Sequence, residues 1–443
     1  MAIVLQAKRQ SSYRCPTRRS RSICVSLVAL AIFVTGCASR PYHGSRVETA
    51  TFLERAQTRQ QGSLRVTAAV PDAAETERLT GLDLYEQGIQ PVWLKIENEG
   101  SVTARLATRS IDKDYFSPIE VAYKNRKKFS ARCYEDMQRW FHSNGMERRI
   151  PPGESRSGLV FTNLKPGTKG FNLDVFSNRR ATSFTFFLPM PGFTADYTRV
   201  NFDSLYPEHQ IQQLDEAGLK TLLEKELPCC ATDTTGEING APFNLVLVGT
   251  PLAVRRSLLR GAWLETSTDQ KMLRKAREHY YRGREPDTVF YVDRADGNER
   301  LQLNLWLAPL RVGSDAVWFG QVFYRAQDTP LAQAVRENKT LQNSKVLVRF
   351  VGESVSADID SAQRFAMQNF WYNQSVLKAG MVTGAGACSL DSPCTTFDGV
   401  GYFTAGERAV LFLSETPVAL DDGRIIYADH LERTRRAGGV QMR

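Results

Sequence analysis

Histidine is scarce in this chain. Five occur in 443 residues, at His43, His142, His209, His279 and His430, all far apart. That excludes a His-Glu-x-x-His helix or a paired-histidine zinc site, which need two imidazoles about one turn apart. No Gly-x-Ser-x-Gly elbow is present for a serine nucleophile, and Gly249-Thr250 after the run Phe243-Asn244-Leu245-Val246-Leu247-Val248 lacks the glycines that cradle a phosphate. His279, beside Arg277 and Tyr280, is the least ordinary of the five and still has no partner by spacing. By spacing, the chain therefore offers no catalytic, metal-binding or cofactor motif, and a site would have to be assembled in space from residues far apart in sequence. No tandem repeat is visible, and no apolar run reaches the ~20 residues of a membrane-spanning helix.

Acids are missing altogether from the first 36 residues, where Lys8, Arg9, Arg14, Arg18, Arg19 and Arg21 supply six positive charges. An apolar run from Ile23 to Val34 follows, and it ends at Val34-Thr35-Gly36-Cys37. Basic, apolar, then small is the order of a secretory leader. Its last four residues resemble the bacterial lipobox, which implies cleavage before Cys37 and lipid attachment to it. Ala38 after the cysteine is similar to the pattern that sends enterobacterial lipoproteins to the outer membrane, facing the periplasm, with the inner membrane as the alternative. Loss of residues 1–36 takes the formal charge from +9 to +3, so nucleic acid is not an expected partner. The membrane, through the lipid, and other envelope proteins are.

Five cysteines besides Cys37 survive that cleavage, in an oxidising compartment. Cys388 and Cys394 bracket the turn-rich Ser389-Leu390-Asp391-Ser392-Pro393 and are expected to pair. Cys229 and Cys230, as neighbours, are expected not to bridge each other, leaving one to reach Cys133 and one free.

Periodicity divides the remainder. Residues 37–62 are polar and aperiodic and read as a tether. Between 63 and 201, Leu64/Val66/Ala68, Val92/Leu94/Ile96, Phe171/Leu173/Val175 and Phe184/Phe186 alternate with polar residues, with Pro151-Pro152-Gly153 and Lys165-Pro166-Gly167 as turns. This predicts an immunoglobulin-like β-sandwich, interrupted over 119–146 by a helical insertion carrying Lys124, Arg126, Lys127 and Lys128, a solvated face or a contact for anionic lipid. Residues 202–240 read as a helical linker. From 241 to 430 mixed strand and helix signals predict an α+β domain with a mainly antiparallel sheet, including a helix over 272–281. A polar tail, 431–443, closes the chain. The fold class expected is thus multidomain α+β.

The second half is similar to the LssY C-terminal domain family, associated with type I secretion. The resemblance rests, in order, on Pro242 through Gly249, Gly261-Ala262-Trp263, Leu305-Trp306, Val317-Trp318-Phe319-Gly320, Asp358-Ile359-Asp360 with Arg364, and a last hairpin across 402–413. Some members are joined to segments like those of lipid-phosphate phosphatases, which implies a hydrolase of lipid phosphate or other envelope substrate as one function. Against it, many members carry paired histidines in the strand where this chain reads Leu301-Gln302-Leu303-Asn304-Leu305-Trp306, and the histidine-like position before Asp358 is Ser356. Asp358, Asp360 and Arg364 remain as a speculative polar site, with Asp360 and Arg364 spaced for a helix-surface ion pair. The reading favoured by these residues is a lipid-anchored, non-enzymatic accessory or scaffold protein of the cell envelope, with the hydrolase as alternative.

Overall fold

A computed structural model describes Tyr42 and residues 44–165, 167–267, 277–293, 299–326, 358–397 and 401–427. Cys37, the leader, Ser356, the tail 431–443 and residues 272–276 of the helix expected over 272–281 lie outside the described residues; 277–281 is described and is turn and isolated β-bridge, not helix. The fold is α+β, with mostly antiparallel sheets, and it divides into two compact units near Pro191.

The first unit starts earlier than its periodicity suggests. Residues 44–61 are no tether: two short 3-10 turns, Val47–Thr49 and Thr51–Arg55, bury Val47 and Phe52, and β1 (Gln57–Gln61) pairs antiparallel with β2 (Leu64–Ala69). β1 reads Gln-Thr-Arg-Gln-Gln because it is an edge strand, exposed along most of its length, where polar side chains discourage further pairing. Helix α1 (Ala73–Thr80) follows, begun by a reciprocal Asp72–Glu75 capping box and ended at Gly81 in the left-handed region. Next come β3 (Ile89–Asn98), β4 (Ala104–Ala107) and the short α2 (Thr108–Ile111). The helical insertion is two helices, α3 (Pro118–Asn125) and α4 (Ala131–Asn144), joined through a 3-10 turn at Arg126–Lys128. Strands β5 (Arg149–Ile150), β6 (Ser155–Asn163), β7 (Lys169–Ser177) and β8 (Arg180–Leu188) complete the unit.

These strands form two four-stranded antiparallel sheets, ordered β1-β2-β3-β6 and β5-β4-β7-β8. Val66, Leu94, Ile96 and Val160 from the first meet Leu106, Phe171, Leu173 and Phe186 from the second in one core. The other face of the first sheet is covered too: Ile89, Leu159 and Phe161 pack on Leu79, Val121, Met137 and Phe141 of the helices. Burial on both faces explains why Leu159-Val160-Phe161 is continuously apolar where a half-buried strand alternates.

The second unit takes in residues 192–240, so the expected linker belongs to the domain itself. Strand β9 (Gln212–Leu214) runs parallel to the end of the longest strand, and α5 (Glu216–Lys225) sends Leu219, Leu222 and Leu223 into the core. Then come β10 (Cys230–Thr232), β11 (Asn239–Pro242), β12 (Leu245–Val248), α6 (Pro251–Arg260) with Thr250 as its cap, and β13 (Leu264–Glu265). Strands β14 (Thr288–Asp293), β15 (Glu299–Val312) and β16 (Asp315–Ala326) precede α7 (Ile359–Tyr372). The chain continues through β17 (Val376–Thr383), β18 (Cys394–Thr395), β19 (Gly401–Tyr402), β20 (Glu407–Leu413) and β21 (Arg424–Ile426).

Nine strands make its main sheet, ordered β13-β14-β15-β16-β12-β20-β17-β21 with β9 on β15. The closing hairpin expected across 402–413 does not form: β19 pairs with β18, while β20 lies between β12 and β17. β20 is apolar from Ala409 to Leu413 because it is a central strand. Leu245, Leu303, Trp318 and Leu411 face α6 and α7 on one side. Val246, Trp306, Phe319 and Val410 face α5 on the other. Trp306 and Trp318 therefore fill core on opposite faces.

Candidate functional site

The polar triad singled out by sequence sits at the start of α7, and its groups serve the backbone. Asp358 is the N-cap: its carboxylate accepts from Ser361 N at 3.0 Å and from the Ser361 hydroxyl. Asp360 accepts from Thr404 Oγ1 and from Ala405 N at 2.8 Å, tying the first turn of the helix to the loop before β20. Arg364 lies 3.7 Å from Asp358, not on Asp360 as the spacing suggested, and its side chain is 61% exposed. The carboxylate one turn back was already taken by the loop.

That loop is fastened at a second point. Cys388 and Cys394 pair, with Cα atoms 5.8 Å apart, and Cys388 exchanges both backbone hydrogen bonds with Thr404. Both cysteines pack against Ala241, Phe323, Ile359 and Tyr402. Contrary to expectation, Cys229 and Cys230 bridge each other, so neither reaches Cys133, which is buried in α4 of the first unit. Adjacency had argued against that ring; Phe243 N donates to Cys229 O, and Cys230 opens β10. Cys230 Sγ is 3.8 Å from the Tyr402 hydroxyl, whose pKa burial pushes up. Gly386 is a glycine by necessity: a Cβ there would strike Cys229 Sγ at 2.1 Å.

Sequence reasoning noted Gln302 and Asn304 in their strand, but not the buried polar network they form inside this end of the sheet. Gln302 and Asn304 project from one face of β15, and Gln321 stands opposite Asn304 on β16. All three are wholly buried. Gln302 Nε2 donates to Asn304 Oδ1 at 2.7 Å, Asn304 Nδ2 to Gln321 Oε1 at 3.3 Å, and Gln321 Nε2 to the Ala241 carbonyl. Gln302 Oε1 ends the ladder without a partner among the described residues. Asn244 bonds Val322 through both amide ends, at 2.8 and 2.9 Å, and Gln363 donates to the Asn244 and Glu407 carbonyls. His279 packs edge-on to Phe397 at 4.9 Å and parallel to Phe323. The available signal was parity: Gln302 and Asn304 share Trp306's face in an otherwise apolar strand.

The β15–β16 register shifts between Leu307 and Arg311, around Pro309, which has no N–H to pair. Two cavities flank the break. One of about 430 Å³ lies between Phe202, Tyr206, Thr250, Leu307, Arg311 and Ala316. Another of about 160 Å³ lies by Gln212, Leu222, Tyr281, Pro309 and Phe319. Neither contains Asp358, Asp360 or Arg364. Among the described residues no group of three His, Cys, Asp or Glu side chains is placed to hold a metal ion, and no helix is long and apolar enough to cross a membrane.

No family model, no curated protein and no solved structure matches this chain.

Proposed function

We propose that the protein is a lipid-anchored, non-enzymatic accessory or scaffold protein of the bacterial cell envelope, attached through Cys37. The observation that carries the reading is Val34-Thr35-Gly36-Cys37 at the end of a leader-like apolar run. The pairing of Cys388 with Cys394 and of Cys229 with Cys230 supports it, because such bonds persist in oxidising compartments. The two antiparallel sheets sharing one core support an immunoglobulin-like sandwich as the first unit. Serial agreement of motifs over 242–414 supports reading the second as a relative of the LssY C-terminal domain, with secretion as its setting. A hydrolase would need Asp358 or Asp360 available to water or substrate; each is instead engaged by its own helix cap or loop. Palmitate labelling tests the proposal. Incorporation in the native chain that vanishes in Cys37→Ala is expected, and absence of label in the native chain, or its persistence in the variant, refutes it.

A further inference from the structure

The two ends of the helical insertion differ in charge. Residues 121–134 hold Lys124, Arg126, Lys127, Lys128 and Arg132 and no acid. Lys124, Lys127 and Lys128 are exposed. Lys124 lies over the Phe116 ring at 5.2 Å and Arg126 over Tyr123 at 3.6 Å, neither contact neutralising its charge. Ile119 and Tyr123, four apart on α3, are 42% and 52% exposed beside them. The corner is therefore a cationic surface with an apolar edge, the chemistry that anionic lipid head groups attract.

Its place in the chain decides what it faces. Tyr42 is five residues after Cys37, and its ring packs 5.9 Å from Phe129, the residue that ends the basic run. It also lies 6.2 Å from Trp140 of α4. Trp140 Nε1 donates to Ser45 O at 3.2 Å, and Ser45 N to Leu79 O at 2.8 Å, so the chain is seated in the unit from this point on. Five residues span at most about 18 Å fully extended. With lipid on Cys37, Tyr42 is leashed within about 18 Å of the bilayer surface, and Phe129, next to the basic run, packs against the Tyr42 ring.

We propose that this corner, Lys124, Arg126, Lys127 and Lys128 with Tyr123 and Ile119, is a second membrane contact that binds anionic phospholipid head groups and sets the orientation of the first unit on the bilayer. The leash argument rests on lipidation of Cys37; the charge contact is measurable without it. The test uses the full mature chain with Cys37→Ser, which carries no acyl group, and vesicles of phosphatidylcholine with or without phosphatidylglycerol. Sedimentation with the anionic vesicles alone is expected, weakening as salt rises. The variant K124Q/R126Q/K127Q/K128Q is expected to lose on the order of several hundredfold in partition, since each of the four cations near an anionic surface contributes roughly fivefold. These side chains are exposed or half-exposed, and an unchanged circular dichroism melt shows that the variant folds. Equal binding to neutral vesicles, no binding, or an unaffected variant overturns the proposal. Mass spectrometry of the N-terminal peptide separates the two failures. A Cys37 found disulfide-linked or unmodified removes the anchor and the leash, whereas an acylated Cys37 with no vesicle binding by the unacylated chain removes only the second contact.

Discussion

Among the described residues each unit buries one cation against carbonyl oxygens, and the two are held differently. Lys169, at the start of β7, is 1% exposed; its ammonium donates to Asn163 O at 2.8 Å. Arg408, in β20, is equally buried, and its guanidinium reaches four carbonyls: Phe243 at 3.1 Å, Leu227 at 3.1 Å, Pro228 at 2.7 Å, and Leu223. Desolvation pushes Lys169 down to about 7, with the nearby Lys165 ammonium adding to the effect, and Arg408 only down to about 10. The lesson lies in donor geometry. A planar fork of five N–H groups satisfies several carbonyls at once and keeps its charge, whereas an ammonium with one acceptor gives up its proton near neutrality. Arg408 also closes α5, because Leu223 is among the carbonyls left open at that helix's end and Leu227 and Pro228 follow directly after its cap.

The largest effect expected on this comparison is at Arg408. Arg408→Leu leaves four carbonyls without donors around β20, and the second unit should lose about 3–5 kcal/mol in urea unfolding. Arg408→Lys keeps the charge with fewer donors and should recover only part of that. A lysine variant as stable as the native chain would show that charge, not the fork, holds this junction.

Lys169 should behave in the opposite way. Its folded pKa lies below the ordinary 10.5, so between pH 7 and 10.5 the unfolded chain binds more protons than the folded one. Stability of the first unit therefore rises with pH across that window, by up to about 1.4 kcal/mol per pH unit. Below pH 7 the full cost of burying the charge is present. In Lys169→Met that slope should disappear, with stability at pH 7 unchanged or improved, because an apolar side chain of similar length carries no charge to desolvate. Hydrogen exchange in peptides of β7 and β8 reads the unit separately; an unchanged slope in the variant would mean that another group titrates.

Both cations were legible in one respect and hidden in another. Parity puts Lys169 on the face of Phe171, Leu173 and Val175, and Arg408 on the face of Val410 and Phe412. What no spacing reveals is which carbonyls come to meet them, since Leu223 and Pro228 arrive from some 180 residues away. The alternating strands of the first unit were readable for the same reason that their burial is regular: one sheet face meets the other. Polar β1 was not, because an edge strand is selected against apolar patterning. Among the speculative site residues, Asp358 could be read as a helix cap from Asp358-Ile359-Asp360-Ser361. The use of Asp360 depends on Thr404, far along the chain and fixed by the Cys388–Cys394 loop.

Asp196 is the counter-case inside the second unit, and its effect should be the smallest. Its carboxyl is fully buried and accepts from Val289 N at 2.6 Å and Thr288 Oγ1 at 3.0 Å. Burial raises its pKa to about 7, and these hydrogen bonds, which favour the ionised form, limit the rise. Between pH 4 and 7 the folded state then holds a proton that the unfolded chain has released, so stability of this unit falls as pH rises, the reverse of the Lys169 slope and at lower pH. Below the unfolded value near 3.8 the contribution is fully present; above 7 it is gone. Asp196→Asn cannot ionise, so the stability read from exchange of the Val289 amide should lose its pH dependence across this window, with a constant penalty because the Asn keeps one acceptor oxygen for Val289 N and turns its NH2 toward the Thr288 hydroxyl. If the native slope between pH 4 and 7 survives the substitution, Asp196 is ionised in the folded protein, and its hydrogen bonds outweigh its burial.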